Sequence, residues 1–343
     1  MKSQMTFCLG SDEHYFPGLL MAALTTIKSL AADRPYHFVF LDGGIEDSSF
    51  ERLEEGVQRV AKERSHSLTF ERVRLDMNTF ADLPRMWHES VMTYARILLP
   101  ELTEADSAVW VDSDMLIYRD LSTFEPKNKT TTIIAGVTDP EVKTLDGDCP
   151  LTPEQRESDD TTYVNCGLLW MNLKLMRETG FRAHIFEFMA KHKEKLRFWD
   201  QTAINATTIG RKETLPEHFN VFCLKITNQD LASAVGRSNL HMVSADKPWL
   251  PEKSRSQITR DLAFWKTWDL LTGETSTHRF SEIASRVSTW DYLVSMWKSR
   301  LYRVLRDERR KEKWGERHED NRYLHTRLVQ DCLDTALATW ARG

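Results

Sequence analysis

No apolar run in this sequence approaches the ~20 residues that a helix needs to cross a bilayer. The apolar core of a secretory signal is missing too, since Met1-Lys-Ser-Gln-Met-Thr-Phe-Cys8 passes straight into what reads as a strand. The five cysteines (Cys8, Cys149, Cys166, Cys223 and Cys332) are odd in number and form no Cys-x-x-Cys pair. Reduced, mostly buried thiols in the cytosol are expected from that usage, and a structural zinc site is not. Positive charge is not in excess either: the formal net charge is -5 with 28% charged residues, so no global signal for nucleic acid exists. No internal repeat is evident. What remains is an ordinary globular composition over 343 residues, enough for two domains or one large domain with an appendage.

Hydrophobic periodicity orders the first part of the chain. Short apolar strands are expected at Met5–Gly10, Tyr36–Leu41 and Ser67–Val73, with helices over Phe16–Leu30 and Ser48–Ala61 between them. Alternating strands and helices describe a mostly parallel sheet flanked by helices, an α/β architecture. In such sheets ligands bind beyond the carboxyl ends of the strands. Asp12 and Asp112 both stand at such ends, so both should open onto one crevice. Further on, Glu89–Leu99 reads as a helix, Thr131–Val137 and Tyr163–Asn172 as strands, and Phe198–Asn205 as the opening of a short helix. Pro140–Thr161 is polar and aperiodic, a long surface loop that takes a second Asp-x-Asp, Asp146 and Asp148, with it. Past about residue 250 strand candidates vanish and the pattern is helical, which divides the chain into 1–250 and 251–343.

The stretch Ala108-Val-Trp-Val-Asp112-Ser-Asp114-Met-Leu-Ile-Tyr118 carries the chemistry. Residues two apart on an extended strand share a face, so both carboxylates leave the core on one side. Two carboxylates held together repel each other and lose hydration, and a hard divalent cation that also grips a phosphate group would settle them. A solvated acidic turn is the plainer alternative.

Six stretches then resemble, in order, bacterial glycosyltransferase family 8, the retaining galactosyl- and glucosyltransferases of lipopolysaccharide synthesis. They are Gly10-Ser-Asp-Glu-His-Tyr15, Thr93-Tyr-Ala-Arg96, Val111-Asp-Ser-Asp114, Tyr163-Val-Asn-Cys-Gly167, Asp200-Gln201 and His241-x5-Lys247-Pro-Trp249, spanning about residues 5–250. The resemblance implies a GT-A fold, Rossmann-like, with a nucleotide-sugar cleft. It implies Mn²⁺ or Mg²⁺ held by Asp112, Asp114 and His241, a mixed oxygen and nitrogen set suited to Mn²⁺. Lys247 would face the same diphosphate. Asp12 and His14 would hold the nucleoside, with His14 standing where an asparagine is often found. Arg96 and His88 would serve the donor, and Asp139 and Asn165 would contact the transferred sugar. Gln201, Asn165 and Asp200 would carry the reaction, Gln201 and Asn165 at the oxocarbenium-like centre and Asp200 orienting the sugar hydroxyls. An amide is a poor nucleophile, so front-face substitution is preferred to a covalent glycosyl-enzyme. Ser244 stands where the family usually has glycine.

The implied partners are a UDP-sugar donor and a glycan or lipid-linked glycan acceptor, with no nucleic acid. Two other function classes stand beside this one: a haloacid-dehalogenase-like phosphatase and a non-catalytic metal-dependent sugar-binding module. The phosphatase would place its acidic pair near the start of the domain, whereas here the pair sits a third of the way in. Trp297–Lys313 reads as a basic amphipathic helix, with Trp297, Leu301, Val304 and Leu305 on one face among Arg300, Arg303, Arg306, Arg309 and Arg310. Either it lies on a membrane surface, making a cytoplasmic protein peripheral on the inner membrane, or it packs on the catalytic domain with its arginines paired to Asp307, Glu308 and Glu312.

Overall fold

A computed structural model describes residues 3–83, 90–142, 145, 162–193, 196, 198–250, 257–284, 289–325 and 328–342. The chain divides into two compact units, Met1–Asn220 and Val221–Gly343.

The first unit is built on a seven-stranded sheet in the order β3-β2-β1-β4-β7-β6-β8. Its strands are β1 (Met5–Ser11), β2 (Tyr36–Asp42), β3 (Leu68–Arg74), β4 (Ala108–Val111), β6 (Ile134–Thr138), β7 (Val164–Met171) and β8 (Lys212–Thr214), while the two-residue β5 (Met115–Leu116) lies outside that sheet. Strand β1 is buried along its whole length, Thr6 and Ser11 included, and pairs in parallel with β2 on one side and β4 on the other. Edge strand β3 instead alternates between exposed and half-buried residues. Helices α1 (Phe16–Ser29) and α2 (Asp47–Glu63) pack closely: a side chain at Gly56 would meet Leu24 Cδ2 at 3.1 Å. Strand β7 runs antiparallel to both neighbours, β4 and β6, and is the one reversal in a sheet otherwise parallel among these pairs.

That reversal gathers the site. The carboxyl ends of β1, β4 and β6 and the start of β7 all reach one edge. The register fixes the details. Asp112 N donates to Gly167 O (2.8 Å), and Asp139 N to Tyr163 O (2.9 Å). A register shift between Gly136 and Thr138 sets Asp139 beside Asn165. Gly136 is required there, because a Cβ would lie 2.9 Å from Leu169 Cδ2 and 3.2 Å from the backbone oxygen of Leu168.

Two sequence-based helices need correction. The one expected over Glu89–Leu99 opens later: a 3-10 turn at Met92–Tyr94 leads into α3 (Ala95–Leu102). Met92 N donates to the Ser90 hydroxyl (3.3 Å), a local bond that competes with helix before that point. Trp297–Lys313 is not one helix. Helix Thr289–Val304 stops, Arg306 takes a left-handed φ of 53°, and a new helix begins at Glu308. Asp307 explains the break, since its carboxylate accepts from Arg310 N (3.1 Å) and its carbonyl from Lys311 N (2.8 Å), capping the second helix. Most of the loop Pro140–Thr161, including Asp146 and Asp148, lies outside the described residues.

The second unit carries one parallel strand pair, β9 (Val221–Phe222) with β10 (Leu240–His241), and is otherwise helical among the described residues. Trp249, Phe264, Trp265 and Trp268 pack against one another there, with centroid separations of 5.1 to 6.2 Å. Trp249 is half-buried against Phe264.

Candidate active site

Asp112 follows β4 directly, and Trp110, two residues earlier on the same face, donates its indole N–H to Asp112 Oδ1 (2.6 Å). The same oxygen lies 3.3 Å from Arg96 Nη2. Arg96 is buried at 4% exposure, an expensive place for a guanidinium unless it is surrounded by acceptors. It is surrounded. Its Nε donates to Thr93 O (2.9 Å), its Nη2 to Thr93 Oγ1 (2.9 Å) and its Nη1 to Cys166 O, while Nε also lies 3.2 Å from Asp200 Oδ2. The guanidinium also stands 5.3 Å from the centroid of the Trp110 ring. One cation is therefore shared between the half-buried Asp112 and the fully enclosed Asp200.

Asp200 sits in the first turn of helix Trp199–Thr207 and accepts from the Thr93 hydroxyl (2.9 Å) on Oδ1. Burial pushes its carboxyl up from 3.8 to about 6, against the opposing pull of Arg96 and of the Thr93 hydrogen bond. Oδ2 has the ion pair with Arg96 but no hydrogen bond of good geometry, which leaves part of the desolvation uncompensated.

Next along the helix, Gln201 closes a ring of polar side chains. Its Oε1 accepts from Asn165 Nδ2 (3.0 Å) and from Cys166 N (2.9 Å), and its Nε2 donates to Asp139 Oδ2 (3.2 Å). Asn165 Nδ2 also reaches Asp139 Oδ2 (3.1 Å). Asp139 Oδ1 is held by Glu141 N (2.8 Å) and Val142 N (3.1 Å). Asn165 Oδ1 accepts from Gly167 N (3.0 Å) and Asn220 Nδ2 (2.8 Å). Three residues singled out from sequence are thus in mutual contact.

Asp12 caps the 3-10 turn Glu13–Tyr15, accepting from Tyr15 N (3.1 Å) and from the Ser90 hydroxyl (3.0 Å). His14 is exposed, its ring 5.7 Å from that of Tyr15. Burial, then Asp114 and Asp12, raises the Tyr15 phenol well above its usual range, so it stays protonated. His88 lies outside the described residues. In the second unit, His241 ends β10 and is buried at 3% exposure against the Phe222 ring (5.2 Å). Lys247 is equally enclosed and donates to Met242 O (2.8 Å).

Asp112 and Asp114 stand two residues apart in the first unit and His241 lies in the second, and each offers one ligand atom. Two carboxylate oxygens and one imidazole nitrogen form a donor set that a hard or borderline divalent cation accepts. The residues present fit such an ion.

The sequence missed Trp110, Thr93 and Asn220 as members of this arrangement. Trp110 was open to discovery, because period two puts it on the face of Asp112. So was Asn205, four residues after Gln201 on the same helical face, which brackets Val164 through both its N–H and its C=O at 2.8 Å. Asn220 carried no local signal.

A sheet of this order with an acidic pair beyond its central strand defines a GT-A type of fold. The profile of Glycosyl transferase family 8 matches residues 6–252, and the chain belongs to that family. It is therefore a transferase, which sets aside the phosphatase reading. General stress protein A of Bacillus subtilis is 21% identical over 257 residues, covering 70% of this chain and 85% of that protein. Glycosyltransferase GlyF of Streptococcus pneumoniae is 26% identical over 249 residues, covering 70% of this chain and 56% of that protein. Among solved structures, the galactosyltransferase LgtC in complex with donor and acceptor sugar analogues aligns with a TM-score of 0.62 at 20% identity, over 79% of this chain and 97% of that one. The glycosyltransferase GlyE of Streptococcus pneumoniae aligns at 0.54 and 16% identity, over 78% and 63% of the two chains. At these identities the structures speak for the fold.

Proposed function

We propose that this chain transfers a hexose, galactose or glucose, from a UDP-sugar to a glycan acceptor such as lipopolysaccharide core, with retention at the anomeric carbon. The observation that carries the reading is the ring formed by Asp139, Asn165 and Gln201 at the strand edge where Asp112 emerges. It is a largely enclosed, mutually hydrogen-bonded array of polar groups in a family of sugar transferases, where a sugar's hydroxyls need such partners. Asp139, Asn165 and Gln201 hold the transferred hexose. Asp200 orients from behind, through Thr93 and Arg96. Asp12 and His14 receive the nucleoside, Arg96 fixes Asp112 for the donor, and Lys247 supplies charge to the diphosphate. His88 is assigned to the donor by resemblance alone.

Asp112, Asp114 and His241 would hold Mn²⁺ or Mg²⁺, which as a Lewis acid offsets the charge that builds on a departing diphosphate. The functional division falls near 250, where the motifs end, with 251–343 as a helical region. Among the described residues no helix is long and apolar enough to cross a membrane. The helix Thr289–Val304 nevertheless exposes Trp290, Leu293, Trp297 and Val304 along one stripe, with Arg300, Arg303 and Arg306 exposed alongside. Arg310 pairs with Asp307 at 3.5 Å. We assign this stripe to an anionic lipid surface, with a cytoplasmic, peripheral location.

The test is a panel of UDP-sugars assayed for slow hydrolysis and thermal stabilisation in Mn²⁺, then repeated in EDTA. One UDP-hexose should raise the melting temperature and be hydrolysed, and EDTA should abolish both effects. No response to any UDP-sugar refutes the proposal.

A further inference from the structure

We propose that Arg260 is a positioning residue for donor binding, acting through the turn that carries Lys247; the inference rests on the function proposed above. Arg260 lies in the first turn of helix Ile258–Thr272, beyond the residues 6–252 that the family profile matches. Its guanidinium is buried, with the residue 1% exposed. Nη1 donates to Asp246 O (2.7 Å) and to Ser244 Oγ (3.1 Å). Ser244 Oγ in turn donates to the same Asp246 carbonyl (2.5 Å). Nε donates to Asp261 Oδ1 (2.8 Å), Nη2 lies 2.7 Å from that oxygen, and Asp246 Oδ2 stands 3.6 Å from Nη2.

This is much machinery for one short turn. Burying a guanidinium costs free energy that only good geometry and charge compensation recover. Here the compensation comes from the adjacent Asp261, also fully buried, which leaves Nη1 aimed at the middle of residues 242–247. The base of that turn is closed by Lys247 Nζ on Met242 O (2.8 Å). Arg260 at the centre and Lys247 at the base thus hold the turn in one shape. The same shape fixes where the Lys247 ammonium sits. Ser244 fits the pattern, because its hydroxyl supplies an acceptor to Arg260 that a glycine at this position lacks.

A clamp on a ground-state binding cation changes donor affinity more than the chemical step. The experiment uses the full chain and its Arg260→Gln, Arg260→Lys and Ser244→Ala variants. It measures UDP affinity in Mn²⁺ by calorimetry, donor KM and kcat, and melting temperature. Arg260→Gln should weaken UDP about tenfold and Ser244→Ala about threefold, as loss of hydrogen bonds to a charged group predicts, with KM rising in step and kcat within about twofold. Arg260→Lys keeps the charge without the fork and should recover little of the affinity. The Arg260→Gln/Ser244→Ala double variant should bind UDP no more weakly than Arg260→Gln alone, because both act on one turn. Should Arg260→Gln fail to fold, the half-buried Ser244→Ala carries the test. A folded variant that binds UDP as the parent does, or that loses kcat with KM unchanged, overturns the inference and leaves the proposed function standing. A parent chain that binds no UDP overturns both.

Discussion

Asp200→Asn should stabilise the folded protein at neutral pH, although it removes a charge from an ion pair. In the native chain this carboxyl has an ordinary value of 3.8 when unfolded and about 6 when folded, because burial outweighs the help from Arg96 and Thr93. The raised value means that the folded state holds its proton through that window while the unfolded state has lost it. Stability is therefore fully present below about pH 3.8, declines as pH rises, and is lost by about pH 6. At about 1.4 kcal/mol per pH unit, the gap amounts to roughly 3 kcal/mol at pH 7. Asparagine matches the neutral acid in shape. Turned over, it can set its oxygen towards Arg96 Nε and its amide N–H₂ towards the Thr93 hydroxyl, which is able to accept. The variant should thus gain up to about 3 kcal/mol over the parent at pH 7.5, on the order of 5–10 °C in melting temperature for a unit of this size, and nothing near pH 4. Thermal and urea unfolding of both proteins at several pH values between 4 and 8 measures this directly. Stability curves that run parallel across that range, or a variant less stable than the parent at pH 7.5, would refute the reasoning.

Two further outcomes follow from the geometry. Trp290→Ala/Trp297→Ala should bind vesicles containing anionic lipid at least tenfold more weakly than the parent in sedimentation assays, with unfolding unchanged, since both rings are largely exposed at 73% and 61%; equal binding would count against the lipid-facing stripe. Mixing the chain with the proposed UDP-sugar donor should yield no hexosyl adduct at Asp200 in intact-mass measurements. That carboxylate is 2% exposed with Oδ1 on Thr93 and Oδ2 on Arg96, a poor position for a nucleophile, and an adduct mapped there would replace front-face substitution by double displacement.

How much of this was legible beforehand follows the range of the interactions. Strand β1, helix α2 and the ends at Asp12 and Asp112 are set by local periodicity, and they appear where the pattern puts them. Asp112, Asp139, Asn165 and Gln201 were named one by one from the resemblance; the sheet register sets Asp139 beside Asn165, and the helix Trp199–Thr207 brings Gln201 to both. What eluded sequence reasoning depends on partners far along the chain or on one residue's competing bond. The antiparallel course of β7 is invisible to a period-two pattern, which is the same in either direction. The break at Arg306 arises because Asp307 caps a new helix within a stretch whose charges and spacing would suit an unbroken one. Arg260 looked like any helix arginine until the fold set it under Ser244.

Arg96 shows why motif assignments describe chemistry less completely than geometry does. Read as a motif, it serves the donor, and a freely reaching guanidinium would do so by touching phosphate. Buried and ringed by Thr93, Cys166, Asp112 and Asp200, its arrangement serves a different end. Both it and the Trp110 indole meet the same oxygen of Asp112, so the rotation of that carboxylate is set by the protein before any ligand arrives. A preorganised carboxylate has no conformational freedom left to lose on binding, and two acids held close together are tolerable when one already has a permanent counter-charge behind it. Asp200 completes the balance by giving the cation a second, fully buried acid that no ligand can compete for. On this view the raised carboxyl of Asp200 is the cost of fixing Arg96. Relieving it should therefore stabilise the fold and loosen the grip on Asp112 in the same stroke.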